Sequence, residues 1–120
     1  MLSITQALSQ SEISQARELF REYAQSPGVA PCWQDFEHEL ASLPGRYAPP
    51  EGRLLLAHNG DSAKGEVAVG CVALRKLEPG ICEMKRLYVQ PESRGEGAGR
   101  KLAEKLIAEA RLIGYQKNAP

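Results

Sequence analysis

The sequence contains few of the residues that mark secreted, membrane-spanning or metal-binding proteins. Its three cysteines are odd in number and form no CxxC pair, so we expect no disulfide framework and a reducing, cytoplasmic location, with Cys71 and Cys82 as small core residues. No run of about 18 apolar residues is present, so no transmembrane helix is expected. The N-terminus has no basic segment before a long apolar core, and we expect no signal peptide. Two histidines without ligand spacing predict no metal site.

Charge of one sign is also missing, with 15 basic and 15 acidic residues among 120. Because of this balance, the net charge does not attract nucleic acid or an anionic membrane surface, so neither partner is expected. Hydrophobic residues make up 42% of the chain, which is enough to bury a core. The length predicts a single domain that occupies residues 1–120.

Hydrophobic periodicity and turn residues predict seven elements in the order β-α-α-β-β-β-α. Ser9 and Glu12 have capping-box spacing, which predicts the start of the first helix, and Asn59-Gly60 is a hairpin signal. Short turns join the three central strands, so we expect these strands to be antiparallel, with Gly70 weakening its strand or marking a bulge. The predicted fold class is α+β (mixed α/β) with a mostly antiparallel sheet. The predicted strands are residues 2–8, 53–58, 66–77 and 81–89. The predicted helices are residues 11–25, residues 31–43 and a last helix that ends near residue 114.

The most informative segment is Arg94-Gly95-Glu96-Gly97-Ala98-Gly99-Arg100, which joins a predicted strand to the last helix. The first N–H groups of a helix have no intrahelical acceptor, and the helix dipole adds positive charge there, so the segment predicts an anion site. A dinucleotide fingerprint would need a glycine at Arg100, and a P-loop would need Ser or Thr at Leu102, so neither fits. The pattern that does fit is R-x-x-G-x-G/A. The alternative interpretation is that the glycines only form a tight connection between strand and helix and bind no ligand.

This pattern and the preceding Leu87-Tyr88-Val89-Gln90-Pro91 resemble the GNAT acetyltransferase superfamily, whose N-terminal half has a similar element order. The resemblance covers essentially the whole chain. It implies an acyl-CoA N-acyltransferase-like fold, acetyl-CoA as cosubstrate and an amine acceptor. It also implies that the loop binds the CoA pyrophosphate, where glycines allow close approach, and that the preceding strand binds the acetyl-pantetheine arm through its backbone. The expected cofactor-binding residues are Leu87, Tyr88, Val89, Arg94, Gly95, Glu96, Gly97, Ala98, Gly99 and Arg100.

The family transfers the acetyl group directly to an amine, and a general base is expected because an amine is mostly protonated at pH 7. Glu83 is the candidate base, since it lies on the strand that binds the cofactor arm and resembles the strand glutamate of histone-acetylating members. An exposed glutamate paired with Lys85 or Arg75 is the alternative. Tyr47, beside the stiff Pro49-Pro50 segment, is the candidate for lining the acceptor site.

The sequence departs from the family pattern after the last helix. The family normally continues with another strand, a further helix and two closing strands. These elements supply much of the acceptor site and often a tyrosine that protonates the departing thiolate. Without them, strand Ile81–Val89 is expected to have an open edge that favours a homodimer. Three functions therefore stay open: an N-acetyltransferase acting on a primary amine, a non-catalytic acyl-CoA-binding or interaction module, and a purely structural module that binds no CoA.

Overall fold

The computed structural model describes residues 2–26, 33–60 and 67–119. These residues form elements in the order β-α-α-β-β-β-α-β, which confirms the predicted mixed α/β class. Within the described ranges, no helix is long and apolar enough to cross a membrane. The strands are β1 (Leu2–Gln6), β2 (Arg53–Asn59), β3 (Ala68–Glu78), β4 (Ile81–Val89) and β5 (Lys117–Ala119), and the helices are α1 (Gln10–Ala24), α2 (Trp33–Ser42) and α3 (Ala98–Ile113).

All five strands belong to one sheet, in the order β1-β2-β3-β4-β5. The pairs from β1 to β4 are antiparallel, as the short turns predict, whereas β5 pairs parallel with β4. Ala57 pairs with Gly70 but His58 pairs with Ala68, so Val69 is an extra residue in β3. The bulge expected at Gly70 is therefore confirmed beside it.

The short strand β5 corrects the expectation of an open edge along the whole of β4. Lys117–Ala119 pairs with Ile81–Glu83 and covers the first part of that edge. The Gly80 carbonyl accepts hydrogen bonds from the amides of Gln116 and Lys117, at 2.8 and 3.2 Å. These contacts between distant segments, rather than strand propensity, hold the three residues beside β4, and so the local sequence did not predict them.

Helix α1 begins at the predicted capping box. Ser9 Oγ accepts from the Glu12 amide, and the Glu12 carboxylate accepts from the Ser9 amide, both at 3.1 Å. The same carboxylate accepts from the Leu8 amide at 3.2 Å, which draws this residue out of the sheet and ends β1 at Gln6, two residues earlier than predicted. Hydrogen bonding, above all from the Ser9 backbone, lowers the pKa of Glu12 below its usual 4.5.

Strand β2 shows why the sheet is covered on both faces. Its run Leu54-Leu55-Leu56-Ala57 is buried throughout, and alternate side chains point to opposite faces. Leu54 and Leu56 pack with residues of α1 and α2, while Leu55 and Ala57 pack with residues of α3. The continuous apolar run is therefore the pattern of a central strand between two helical layers. The Pro31 start predicted for the second helix lies outside the described residues.

Candidate functional site

A cavity of about 470 Å³ lies where the end of β4 meets the start of α3. Of the ten residues that the sequence predicts for cofactor binding, all except Glu96 line it. Ser93, a buried residue of the short Pro91–Ser93 3-10 turn, also lines the cavity. It is not among the residues that the sequence predicted to bind the cofactor. The lining residues are Leu87, Tyr88, Val89, Ser93, Arg94, Gly95, Gly97, Ala98, Gly99 and Arg100.

The N-terminus of α3 borders this cavity without a side-chain cap. Its N-cap residue is Gly97, and its first turn contains no acidic residue. The Lys101 amide donates to the Gly97 carbonyl at 3.0 Å, so the amides of residues 98–100 precede this first helical bond. Together with the helix dipole, these amides form a site suited to an anion.

The backbone of the loop requires glycine at Gly95 and Gly97. Their φ angles are +89° and +85°, where any other residue is strained. No atom lies within 4 Å of the place that a Cβ would take at either residue. A side chain there would not clash with the protein, but it would occupy space at the cavity that an anion needs for close approach.

Two arginines supply positive charge beside the loop. Arg94 Nε donates to the Val89 carbonyl at 2.8 Å, and its guanidinium lies 5.6 Å from the centre of the Tyr88 ring. The Arg100 side chain is 84% exposed and lies 3.8 Å from Glu104. Arg94 is thus held beside the cavity, whereas the exposed Arg100 can turn toward an anion.

Comparison with known proteins identifies the family that shares this arrangement. The model of the Acetyltransferase (GNAT) family matches residues 13–119, which is most of the chain. The chain belongs to the GNAT acetyltransferase family. It is also similar to a protein of Schizosaccharomyces pombe described as an uncharacterised N-acetyltransferase, with 36% identity over 115 residues that make up 95% of this chain and 68% of the relative.

Solved GNAT structures have the same fold. A GNAT acetyltransferase of Staphylococcus aureus matches with a TM-score of 0.78 at 19% identity, over 96% of this chain and 69% of that protein. A protein of Clostridium acetobutylicum described as a predicted acetyltransferase, solved with acetyl-CoA, matches with a TM-score of 0.74 at 14% identity, over 99% of this chain and 79% of that protein. The acyl-CoA N-acyltransferase-like architecture implied by the resemblance is therefore confirmed.

Within this GNAT chain, Tyr88 anchors the end of β4. It is 8% exposed and packs on the α1 and α2 side, whereas Val89 packs on the α3 side, as strand alternation predicts. The Tyr88 hydroxyl donates to Glu22 Oε1 at 3.2 Å, and Gln90 Nε2 also donates to this carboxylate. Burial and the bond to Glu22 raise the pKa of Tyr88, so its hydroxyl stays protonated. Sequence reasoning missed Glu22, which lies 66 positions away from Tyr88.

A second feature that the sequence did not reveal is a bulge in β4 next to the cavity. The register of β3 and β4 is interrupted opposite Val72, where β4 has two residues, Arg86 and Leu87. Arg86 has φ +62°. Cys71 Sγ donates to the Arg86 carbonyl at 3.3 Å, and burial raises the pKa of this thiol. Cys71 is therefore a core residue, as predicted, and does not supply a thiolate nucleophile.

The candidate base Glu83 lies on β4 but does not line the cavity. Arg75, its register partner on β3, donates to its carboxylate through Nε at 2.7 Å. The two side chains are 22% and 23% exposed. The pairing with Arg75 is one of the alternatives that the sequence left open, and the role of Glu83 as a base stays a prediction.

Tyr47 lies in the core and not on the surface of its loop. It is 4% exposed, and its ring meets Phe20 edge-on with 6.1 Å between ring centres. Burial, and then the charge of Glu39, raise the pKa of Tyr47. Tyr47 borders a second cavity of about 200 Å³, together with residues of α2, the turn that follows it and Arg75. Contact of Tyr47 with an acceptor stays a prediction.

Proposed function

We propose that this GNAT chain is an N-acetyltransferase that moves the acetyl group of acetyl-CoA directly to a primary amine of a small molecule or peptide. The observation that carries the proposal is a single cavity of about 470 Å³ lined by both the glycine-rich loop and the last residues of β4. A pyrophosphate at the loop and an acyl arm along the strand fit its two parts. Family membership and the acetyl-CoA in the Clostridium acetobutylicum structure support the same donor.

The start of α3 fits the pyrophosphate of the donor. The amides of residues 98–100 supply hydrogen-bond donors, and Arg94 and Arg100 supply positive charge beside them. Each hydrogen bond to a charged group contributes about 1.5–3 kcal/mol. Alternation of glycine with other residues keeps these amides accessible, because Gly95, Gly97 and Gly99 have no side chains to cover them.

The end of β4 fits the acetyl-pantetheine arm. In the described part of the chain, β5 pairs only with Ile81–Glu83, so the strand edge from Lys85 to Tyr88 can offer N–H and C=O groups to an extended ligand. Leu87 is 39% exposed and lines the cavity. A backbone N–H at Leu87 or Tyr88 would stabilise the negative charge that develops on the thioester oxygen.

The acceptor must lose a proton before its nitrogen can form a bond to the acetyl carbon and displace the CoA thiolate. An amine with a pKa near 10.4 is neutral in only about 1 part in 2,500 at pH 7, which corresponds to about 4.6 kcal/mol. A carboxylate that receives this proton through water removes part of that cost. Glu83 is the residue that we assign to this role, with Arg75 holding its carboxylate on the face of the sheet that carries α1 and α2.

Two measurements on the full chain test the proposal. Calorimetry with acetyl-CoA should give saturable binding, with a Kd between about 1 μM and 1 mM, the usual range of enzyme KM values. Release of free thiol from acetyl-CoA should then accelerate in the presence of at least one member of a panel of primary amines. Binding without amine-dependent thiol release would indicate a non-catalytic acyl-CoA-binding module, and no binding would contradict the proposal altogether.

A further inference from the structure

Arg86 is strained at the point where β4 leaves its regular course. Among the described residues, it is the only non-glycine residue with a positive φ, +62°. A side chain in this region crowds its own backbone, so such residues persist only where the surroundings hold them, and they cluster at functional sites. Arg86 stands directly before Leu87, which lines the cavity.

Side chains from both helices on one face of the sheet hold Arg86. Its Nε and Nη2 donate to the two carboxylate oxygens of Glu39 on α2, at 2.9 and 2.8 Å. Its guanidinium carbon lies 5.6 Å from the ring centres of Tyr23 on α1 and Phe36 on α2. The side chains of Arg86 and Glu39 are only 15% and 21% exposed. A bidentate ion pair between such largely buried groups fixes both the position and the orientation of the guanidinium.

The strain at Arg86 sets the direction of the backbone that follows. Arg86 and Leu87 lie opposite one residue of β3, Val72, so the regular ladder is broken at this point and the strand twists. The side chain of Arg86 reaches α1 and α2, while Leu87 lies at the cavity. How Arg86 is held therefore decides where the Leu87 peptide points.

We propose that Arg86 and Glu39 are positioning residues of the donor site, which hold the bulge so that the Leu87 backbone faces the acyl end of acetyl-CoA. This inference rests on the proposed function, since it concerns the same site. Stability alone explains the pair poorly, because apolar residues of similar volume often replace a shielded ion pair with no loss of stability. Instead, through contacts with α1 and α2, the pair holds the strained backbone at the cavity in one geometry.

The test compares a ligand that uses both parts of the cavity with one that uses only the loop. Acetyl-CoA carries both the adenosine diphosphate unit and the acyl arm, whereas ADP has the pyrophosphate but no acyl arm. In the full chain, Arg86→Ala should weaken acetyl-CoA binding by about tenfold or more and change ADP binding by less than about twofold, as measured by calorimetry and by amide chemical-shift titration. Glu39→Ala should give the same loss, and the double variant should lose no more than either single variant, because both residues act through one contact.

Arg53→Ala is the matched control. Arg53 on β2 pairs with Glu109 on α3 at 3.1 Å, and both side chains are 17% exposed. Its loss should lower the free energy of unfolding without changing the ratio of the two affinities. If either alanine variant fails to fold, Glu39→Gln removes the charge while keeping the volume and should show the same selective loss.

The outcomes separate this inference from the proposed function. Wild-type acetyl-CoA affinity in folded Arg86→Ala would overturn the positioning role alone, and so would an equal weakening of acetyl-CoA and ADP. A wild-type chain that binds no acetyl-CoA would instead overturn the proposed function, and this inference with it.

Discussion

Replacing Gly99 by glutamine should separate the stability of the loop from its ability to bind the donor, because the R-x-x-G-x-G/A pattern has only glycine or alanine at this position. Gly99 is the second residue of α3 and lines the cavity. Unlike Gly95 and Gly97, it does not have a positive φ. A Cβ at Gly99 would lie 3.7 Å from Val89 Cγ2, an ordinary contact distance, so a side chain can begin at this residue without strain in Gly99→Gln.

The two effects of this substitution have opposite signs. Glutamine is a better helix former than glycine by up to about 1 kcal/mol, so the free energy of unfolding should stay the same or increase by up to that amount. The added side chain, however, covers the amides that the pyrophosphate needs. Loss of one hydrogen bond to a charged group costs about 1.5–3 kcal/mol, which predicts acetyl-CoA binding weaker by roughly 10- to 150-fold.

Gly114→Gln is the matched control at the other end of the same helix. Gly114 has φ +112°, and no atom lies within 4 Å of the place for its Cβ. Glutamine should therefore cost about 1–2 kcal/mol of stability through backbone strain, with an unchanged acetyl-CoA Kd. Urea unfolding and calorimetry measure the two quantities for both variants. A folded Gly99→Gln variant with the wild-type Kd would refute the assignment of these amides to the pyrophosphate.

Three further predictions concern the base, one arginine and the helix cap. Glu83→Gln should lower kcat in the thiol-release assay by about 100-fold or more while the acetyl-CoA Kd stays the same, because only proton transfer is affected. Arg94→Ala should weaken acetyl-CoA binding by about tenfold and reduce its dependence on salt, as calorimetry at two salt concentrations would show, because a charged donor is lost. Glu12→Gln should reduce the loss of stability between pH 7 and pH 3, measured by urea unfolding. The pKa of Glu12 is lowered in the folded state, so its stabilisation is present above the usual pKa of 4.5 and is lost as the pH falls through the folded pKa.

Each of these predictions has an outcome that contradicts it. Glu78→Gln, at an exposed carboxylate where β3 ends, is the control for charge loss, and an equal kcat in both glutamate variants would remove Glu83 as the base. Salt dependence that is the same with and without Arg94 would place this residue outside the phosphate site. If the wild-type chain and Glu12→Gln lose the same free energy of unfolding between pH 7 and pH 3, protonation of Glu12 does not contribute to the loss of stability in acid.

The sequence predicted what depends on neighbours in the chain. The capping box at Ser9 needs only the residue three positions later, and the glycine-rich loop at residues 94–100 needs only the strand before it and the helix after it. Alternation along Leu54-Leu55-Leu56-Ala57 likewise depends on local geometry alone. For these reasons the bounds of β4 followed from the local pattern, whereas most of the residues expected at the cavity came from the resemblance to the GNAT superfamily.

The rest of the site depends on pairs of residues that are distant in the sequence. Glu39 lies 47 positions from Arg86, and Glu22 lies 66 positions from Tyr88, so no local pattern connects them. The bulge lies at the residue that forms this distant pairing, and arginine carries no intrinsic preference for a positive φ, so no local pattern predicts it. The contact between Tyr47 and Phe20 likewise joins residues that are distant in the sequence, so the burial of the Tyr47 ring was not predicted.

Mapping of backbone amide chemical shifts during titration of the full chain with coenzyme A tests the central claim most directly. The account predicts saturable shifts at the amides of residues 95–100 and 87–89, around the cavity where β4 meets α3. Shifts confined to another part of the chain, such as the cavity between α3 and β5 that Ile107 and Asn118 line, would contradict it, as would no shift at all.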